Sequence, residues 1–499
     1  MTDRSRQLSA LAGLLTGLAG TAVALATAAA LRERLDPVTA VADAVIEVTP
    51  GKVAKALIDL VGTADKPLLI AGVVLGVLAL SMVGGVLTRR SHWQGAAVFV
   101  AMALLSGVAV LTRPDTGSAA VLPVLLGTVT WLAVLPLLTA PLRAAPSIDR
   151  RAFLLRAGAV AGASLVVGLS SRFLGRRRRF VEEAREGLDL PVSDGVVPAG
   201  AELDVPELTS WRTPNDDFYR IDTALVVPAV DVDTWRLRIH GMVERELTFT
   251  FDDLLDRRLT EAWVTLTCVS NPVGDDLVGN AWWSGVRVAD LLAEAGPLDG
   301  ADAVLQTSDD GWNCGTPLEV LTDDRNAMLA IAMNGEPLPL EHGFPVRMVV
   351  PGLYGYVSAT KWLVDLEVTR FEDFSAFWTK QGWAPRGPIK TQSRIDVPAG
   401  NHRVTSGDVV VAGVAWAQAT GIDGVEVRLD GGAWTPVELG RVPSVDTWVQ
   451  WSGTVQVEPG VHTLAVRATD RSGYTQTGVQ RDVLPDGATG WHTIEFTAE

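Results

Sequence analysis

Four stretches of this 499-residue chain carry no Asp, Glu, Lys or Arg: 7–31, 67–88, 91–112 and 116–142, of 25, 22, 22 and 27 residues. At 1.5 Å rise per residue, each predicts a helix long enough to cross a hydrocarbon core about 30 Å thick. A fifth apolar run, 157–171, is shorter and rich in Gly and Ala, with Arg156 before it and Arg172 after it. The expected spans are about 8–31, 67–88, 94–112, 118–140 and 153–173, within a transmembrane region 1–175 of about five helices. Arg4 and Arg6, Arg89 and Arg90, and Arg143, Arg150 and Arg151 flank alternate ends of the spans, which places those ends in the cytoplasm.

After residue 175 the pattern changes. Segment 176–204, with Pro191, Gly195, Pro198 and Gly200 among charges, predicts a linker. From 205 to 375 short alternating and helical runs mix: 235–239 predicts a strand, 251–259 a helix, and Asn334-Gly335 between apolar runs a tight hairpin, which together make an α+β domain. From 385 to 499 alternation dominates. Val425, Val427 and Leu429 share one face, Asp430-Gly431 makes a turn, and Leu464, Val466 and Ala468 repeat the alternation, predicting an immunoglobulin-like β-sandwich.

Charge separates the two halves. Residues 1–180 hold 19 Lys+Arg and 9 Asp+Glu, net +10; the remainder holds 42 − 19 = 23 basic and 58 − 9 = 49 acidic residues, net −26. So acidic a body repels phosphate backbones and excludes nucleic acid as a partner. Arg150-Arg151 followed by Ala-Phe-Leu-Leu resembles a twin-arginine export signal placed before the fifth span. That reading puts the acidic half outside the cytoplasmic membrane, anchored by a multi-pass region. It also explains why Arg176 to Arg179 lie beyond the span. No histidine pair for haem and no mid-span charge for an ion path occurs in the spans.

Two cysteines, Cys268 and Cys314, exclude a disulfide scaffold or a four-cysteine metal site and leave one disulfide between them open. Cys268 follows the apolar run 263–266 and precedes a loop rich in Gly, Asn and Asp, a setting for a nucleophile or a soft-metal ligand. No hydrolase signature surrounds it. In 334–368, His342, Arg347 and Lys361 are three potential cations in a Gly/Pro-rich loop, a composition suited to an anionic phosphate. Segment 212–241 adds Asn215, Tyr219 and Arg220 just before a strand.

Phe218-Tyr219-Arg220, Thr267-Cys268 with its downstream Gly-Asn and Trp-x-Gly, the run Asn-Gly-Glu-Pro-Leu-Pro-x-x-His-Gly-Phe-Pro-x-Arg ending at Arg347, and Lys361-Trp362, in this order and followed by the sandwich, resemble the sulfite oxidase family of molybdopterin-dependent oxidoreductases, including its bacterial membrane-anchored members. The resemblance covers about 205–499. It implies a molybdenum held by the dithiolene sulfurs of one pyranopterin and by the Cys268 thiolate. It further implies that Asn215, Tyr219, Arg220, Asn271, His342, Arg347, Ser358 and Lys361 line the cofactor site, with Arg220 facing the substrate and acting beside Cys268 in catalysis. The sandwich resembles the family's dimerisation domain, which implies a homodimer.

Two departures bear on substrate. Trp282-Trp283 stands where sulfite-oxidising members have Arg-Trp, and the stretch from Tyr354 to Lys361 is one residue longer than in the animal enzymes and lacks their arginine. Fewer cations favour a neutral S-oxide over sulfite. The expected function is oxygen-atom transfer on a small oxyanion or S-oxide, with a separate electron-transfer protein or a quinone as redox partner. The contrary reading is a membrane-tethered receptor that keeps the fold without the metal, in which Cys268 would pair with Cys314.

Overall fold

The computed structural model describes residues 3–31, 36–49, 65–112, 118–143, 150–174 and 177–499. The chain divides into two compact units, 1–180 with 224–226, and 181–223 with 227–499. The first is helical: α1 (Asp3–Ala30), α2 (Pro37–Val48), α3 (Asp65–Leu87), α4 (His92–Leu111), α5 (Leu122–Arg143) and α6 (Arg150–Leu174). Among the described residues, five helical segments are long and apolar enough to cross a membrane: Ser5–Ala30, Asp65–Leu87, His92–Leu111, Ala119–Leu142 and Arg151–Leu169. Small residues let α1 sit close to its neighbours. A Cβ on Gly13 would lie 2.8 Å from Gly85 Cα of α3, and Trp131 of α5 donates its indole N–H to Gly17 O at 3.1 Å. Ala12, Leu138, Phe153 and Ala157 close a core among α1, α5 and α6. The outward residues are apolar too, Leu104, Leu105, Val108 and Val129 being more than half exposed.

Segment 176–204, expected as a linker, carries the helix α7 (Arg177–Glu186). Arg185, near its end, donates to Leu338 O at 2.9 Å, and Ala201 is fully buried. Its Pro and Gly residues turn a chain that packs rather than one that swings.

The second unit begins with β1 (Leu237–Gly241), β2 (Leu247–Phe249), β3 (Thr260–Thr267), β4 (Val278–Arg287), β5 (Ala303–Ser308), β6 (Asn313–Pro317), β7 (Met328–Met333), β8 (Glu336–Pro337), β9 (Arg347–Val349) and β10 (Leu363–Thr369). They form two sheets, ordered β2-β1-β10-β5-β6 and β3-β4-β7-β8, with β9 on β7. The expected hairpin is present: Asn334 (φ 55°) and Gly335 (φ 82°) turn the chain so that Met333 pairs with Glu336. The helix expected over 251–259 is one turn, Phe251–Leu255, capped at its start by Thr250 and Asp253.

Beyond it lie β11 (Gln392–Val397), β12 (Arg403–Val404), β13 (Gly407–Trp416), β14 (Ile422–Leu429), β15 (Thr435–Pro436), β16 (Glu438–Leu439), β17 (Val449–Val457), β18 (Gly460–Asp470) and β19 (His492–Ala498). Two sheets, β11-β13-β17-β16 and β12-β19-β18-β14-β15, share one core. Val411 and Trp451 come from the first, Val427, Val466 and Phe496 from the second. Asp430 (φ 49°) and Gly431 (φ 72°) make the expected turn. A second core joins these sheets to β3 and β4 through Trp211, Trp263, Trp416 and Trp448. There Thr265 N–H donates to Asp446 O at 2.9 Å, Trp448 N–H to Thr265 Oγ1 at 2.8 Å, and Gln418 Nε2 to Thr265 O at 2.9 Å. The β-rich C-terminal part therefore grips β3, the strand that leads into Cys268.

Candidate active site

Thr267 pairs with Val278 across β3 and β4, and Cys268 continues the ladder by donating its N–H to Leu277 O at 2.9 Å. Asn271 staples the intervening loop: its N–H donates to Cys268 O at 3.1 Å and its Oδ1 accepts Leu277 N–H at 2.9 Å. Alternation along the strands puts Cys268 on the face of Gly279, Ala281 and Trp283. Trp282 lies on the opposite face, its ring 5.3 Å from that of Trp263. A tryptophan for an arginine at 282 therefore removes no cation from the cysteine side, and the expectation drawn from that departure loses its basis.

The Cys268 thiol is 8% exposed and has Ser270 Oγ at 2.9 Å. Neither cysteine is in a disulfide; Cys314 is sealed in β6 with Thr360 Oγ1 at 3.3 Å. The Cys268–Cys314 pairing left open by the sequence is not formed. Burial pushes the Cys268 thiol up, with Ser270 opposing, so a metal that takes this sulfur must displace its proton.

Phe218 packs edge-on against Trp283 at 5.7 Å and His342 at 5.6 Å, and stacks on Tyr219 at 5.2 Å. Burial, then the nearby Cys268, pushes the Tyr219 phenol up, while Arg347 acts to lower it; the phenol thus lies within electrostatic reach of both groups. Arg347 is 5% exposed, with its guanidinium carbon 5.0 Å from the Trp283 ring centre. It donates to His342 O at 3.1 Å and to Met348 O at 3.4 Å. Among the described residues no carboxylate forms an ion pair with it, and burial lowers it to about 10.

His342 Nε2 lies 2.9 Å from Asn215 O; since a carbonyl only accepts, Nε2 carries the proton and Nδ1 keeps its lone pair. Burial first and Arg347 second lower His342 to about 4 from 6.5. The unfolded chain therefore binds the proton first as pH falls, and stability is lost between 6.5 and about 4. At about 1.4 kcal/mol per unit this amounts to about 3 kcal/mol, and His342→Asn is expected to lack that part of the acid destabilisation in denaturation curves at pH 7 and pH 4.5.

Of the other expected residues, Asn215 and Ser358 serve the frame. Asn215 Nδ2 donates to Met333 O at 3.3 Å, and Asn215 Oδ1 accepts Asn334 Nδ2 at 2.8 Å, tying the hairpin to the His342 loop. The Ser358 hydroxyl is fully buried and turns toward Leu353 O (3.2 Å) and Tyr354 O (2.9 Å). Lys361 donates to Asp222 Oδ2 at 2.8 Å and to Glu341 O at 3.0 Å. Arg220, 43% exposed, donates from Nε to the same Asp222 oxygen at 3.1 Å. The sequence reading missed Asp222, whose one signal is an acid two places after Arg220. It also missed Tyr354, buried near Cys268 and Asp486 and accepting Lys390 N–H at 3.4 Å.

Residues 224–378 match the family model described as the oxidoreductase molybdopterin binding domain. The chain is 31% identical over 281 residues to the mitochondrial sulfite oxidase of Rattus norvegicus, covering 47% of this chain and 50% of that protein. It is 35% identical over 157 residues to the uncharacterized oxidoreductase YuiH of Bacillus subtilis, covering 32% of this chain and 76% of that protein. The chain belongs to the sulfite oxidase family. The sulfane dehydrogenase SoxCD of Paracoccus pantotrophus superposes on this family member with a TM-score of 0.52 at 25% identity, over 58% of this chain and 84% of that one. The chain spans about half the length of the mammalian relatives it matches.

The family's cofactor is molybdopterin carrying molybdenum, and the residues present fit it. Among the described residues no group of three or more His, Cys, Asp or Glu is placed to hold a metal, so a metal here needs ligands from an organic cofactor as well as the free Cys268 sulfur. Arg347, a buried guanidinium without a carboxylate, meets the need of a phosphate for a charged, forked donor.

Proposed function

We propose that this chain is a membrane-anchored molybdopterin-dependent oxidoreductase that transfers an oxygen atom to or from a small oxyanion or S-oxide outside the cytoplasmic membrane. The observation that carries the reading is the free Cys268 thiol in one cluster with a buried, carboxylate-free Arg347. When bound, the cofactor supplies two-electron oxygen-atom exchange: substrate and water yield oxidised substrate, two protons and two electrons, or the reverse. The chain's residues supply the rest. Cys268 provides the thiolate ligand, Arg347 and Lys361 hold the phosphate, His342 offers a neutral Nδ1 acceptor, and Phe218, Trp283 and Tyr354 exclude water. Electrons pass to a separate carrier protein or a quinone. Quantifying molybdenum and pterin in the purified protein tests the reading; one of each per chain is expected, and a preparation holding neither overturns it.

The domain plan completes the proposal: a transmembrane region 1–175, a connection 176–204, a molybdopterin-binding domain 205–375 and an immunoglobulin-like dimerisation domain 385–499. The apolar outward residues of the helical unit support membrane burial. Arg150-Arg151 serves as the export signal for the folded, loaded domain. Changing both to Lys is expected to leave the C-terminal half inside the cell, protected from externally added protease; unaltered cleavage would refute export by this signal.

A further inference from the structure

The connection from β18 to β19, 471–491, carries no strand or helix of its own, and connections of more than about 15 residues built that way usually serve a function. This one is packed. Gln476, 3% exposed, donates from Nε2 to Gly490 O at 2.7 Å, and its Oε1 accepts the Ser393 hydroxyl at 2.7 Å and Ala468 N–H at 3.1 Å. Between this loop and the residues leading into β11 lies a cavity of about 550 Å³, a size usual for small-molecule sites. It shares no residue with the cluster around Cys268.

Buried Asp470 organises one wall. Its carboxylate accepts the Thr391 hydroxyl at 2.6 Å, Ser472 N–H at 2.9 Å, the Ser472 hydroxyl at 2.5 Å and Tyr474 N–H at 3.2 Å, which fixes those three residues and uses up most of its acceptor capacity. Lys390 is likewise engaged, by Asp486 at 2.9 Å and Gly487 O at 2.7 Å. With Arg481 the lining holds two cations and two carboxylates, so its formal charges cancel. A phosphate or carboxylate would gain Arg481 but also face Asp470 and Asp486, and an uncharged ligand escapes that opposition. What stays open are donors and apolar surface. Among the described residues the Arg481 guanidinium has no ion pair and the Tyr474 hydroxyl no hydrogen-bond partner. Thr477 Oγ1 accepts Val479 N–H at 3.2 Å and keeps its own proton to donate. Beside these donors Tyr474 is 49% and Val479 58% exposed. The complementary ligand has a rim of hydroxyl oxygens and an apolar C–H face, as a pyranose ring has. A guanidinium fork spans two vicinal hydroxyl oxygens, and an aromatic ring packs against the C–H face.

We propose that this cavity is a saccharide-binding site, which takes uncharged pyranose units with Arg481 on vicinal hydroxyls and the Tyr474 ring against a C–H face. The proposal is independent of the cofactor reading, since no residue of that cluster takes part.

Full-length protein in a detergent without a sugar headgroup is titrated by calorimetry with maltotriose, cellotriose and the N-acetylglucosamine trimer, and with citrate as the charged control. At least one trisaccharide is expected to bind, and citrate is not. Tyr474→Ala and Arg481→Gln are each expected to weaken that binding about tenfold, as loss of a hydrogen bond or two would. Arg481→Lys, which keeps the charge without the fork, is expected to bind more weakly than wild type. Both side chains are exposed, so melting temperatures are expected to match wild type. Failure of all three trisaccharides, or an affinity unchanged in either Tyr474→Ala or Arg481→Gln, overturns the proposal. Citrate bound through Arg481 with no saccharide bound would make the cavity an anion site and overturns it equally.

Discussion

Cys268→Ser is expected to leave the purified protein folded but almost free of molybdenum, with turnover reduced beyond the about 10–100-fold that losing an outer-sphere partner costs. Serine offers a hard hydroxyl that holds its proton near neutral pH, whereas a redox metal of this kind takes a soft thiolate. The exchange is close in volume, and the hydrogen-bond partner of the sulfur is Ser270, so the loop retains the Asn271 bond to Leu277. Metal content and circular dichroism separate the outcomes. A folded variant that keeps its metal and its rate would show that Cys268 is not the ligand.

Arg347→Met is expected to act chiefly on the loaded protein. Burial has moved the guanidinium from 12.5 to about 10, a penalty of about 3 kcal/mol on holding the charge there. Against it stand two bonds to backbone carbonyls, one of them long at 3.4 Å, together worth about 2 kcal/mol. The Trp283 ring face adds about 0.5–2 kcal/mol, so loss of the buried charge and loss of its contacts nearly offset, and the unloaded variant melts within a few degrees of unloaded wild type. The loaded form loses its phosphate partner, and pterin retention falls at least about tenfold. Arg347→Lys keeps the charge without the fork and is expected to fall between them. Calorimetric melting with and without cofactor, alongside pterin quantitation, separates the two forms; strong destabilisation of the unloaded variant with pterin retained would mean that Arg347 is a structural residue.

Local chemistry explains what the sequence made legible. The Asn334-Gly335 hairpin, the Asp430-Gly431 turn and the alternation of β14 and β18 depend on neighbours within a few residues. The three motif segments did meet around Cys268. What escaped depends on partners far along the chain. Asp222 finds Lys361 across 139 positions, and no periodicity announces that ion pair. Ser358 and Asn271 sit in the right segments, but their hydrogen bonds close turns, a choice fixed by where Tyr354 O and Leu277 N–H fall in the folded chain. Trp282 was legible and misread: strict alternation from Trp283 already put it on the other side of the strand. The Pro and Gly of 176–204 predicted a linker, and such residues also shape a packed path, as the buried Ala201 shows.

The Cys268 loop has a late-made prop. Gly274 (φ 87°) carries no side chain because the His492 ring stands where a Cβ would be, 2.2 Å from that ring's Cδ2, and Arg394 donates to the adjoining Asp275 O at 3.1 Å. His492 in turn accepts Ile395 N–H at 2.9 Å. Residue 492 leaves the ribosome 224 positions after residue 268. A nascent chain that already displays the cysteine still lacks the wall behind its loop, which is complete only once β19 has been made.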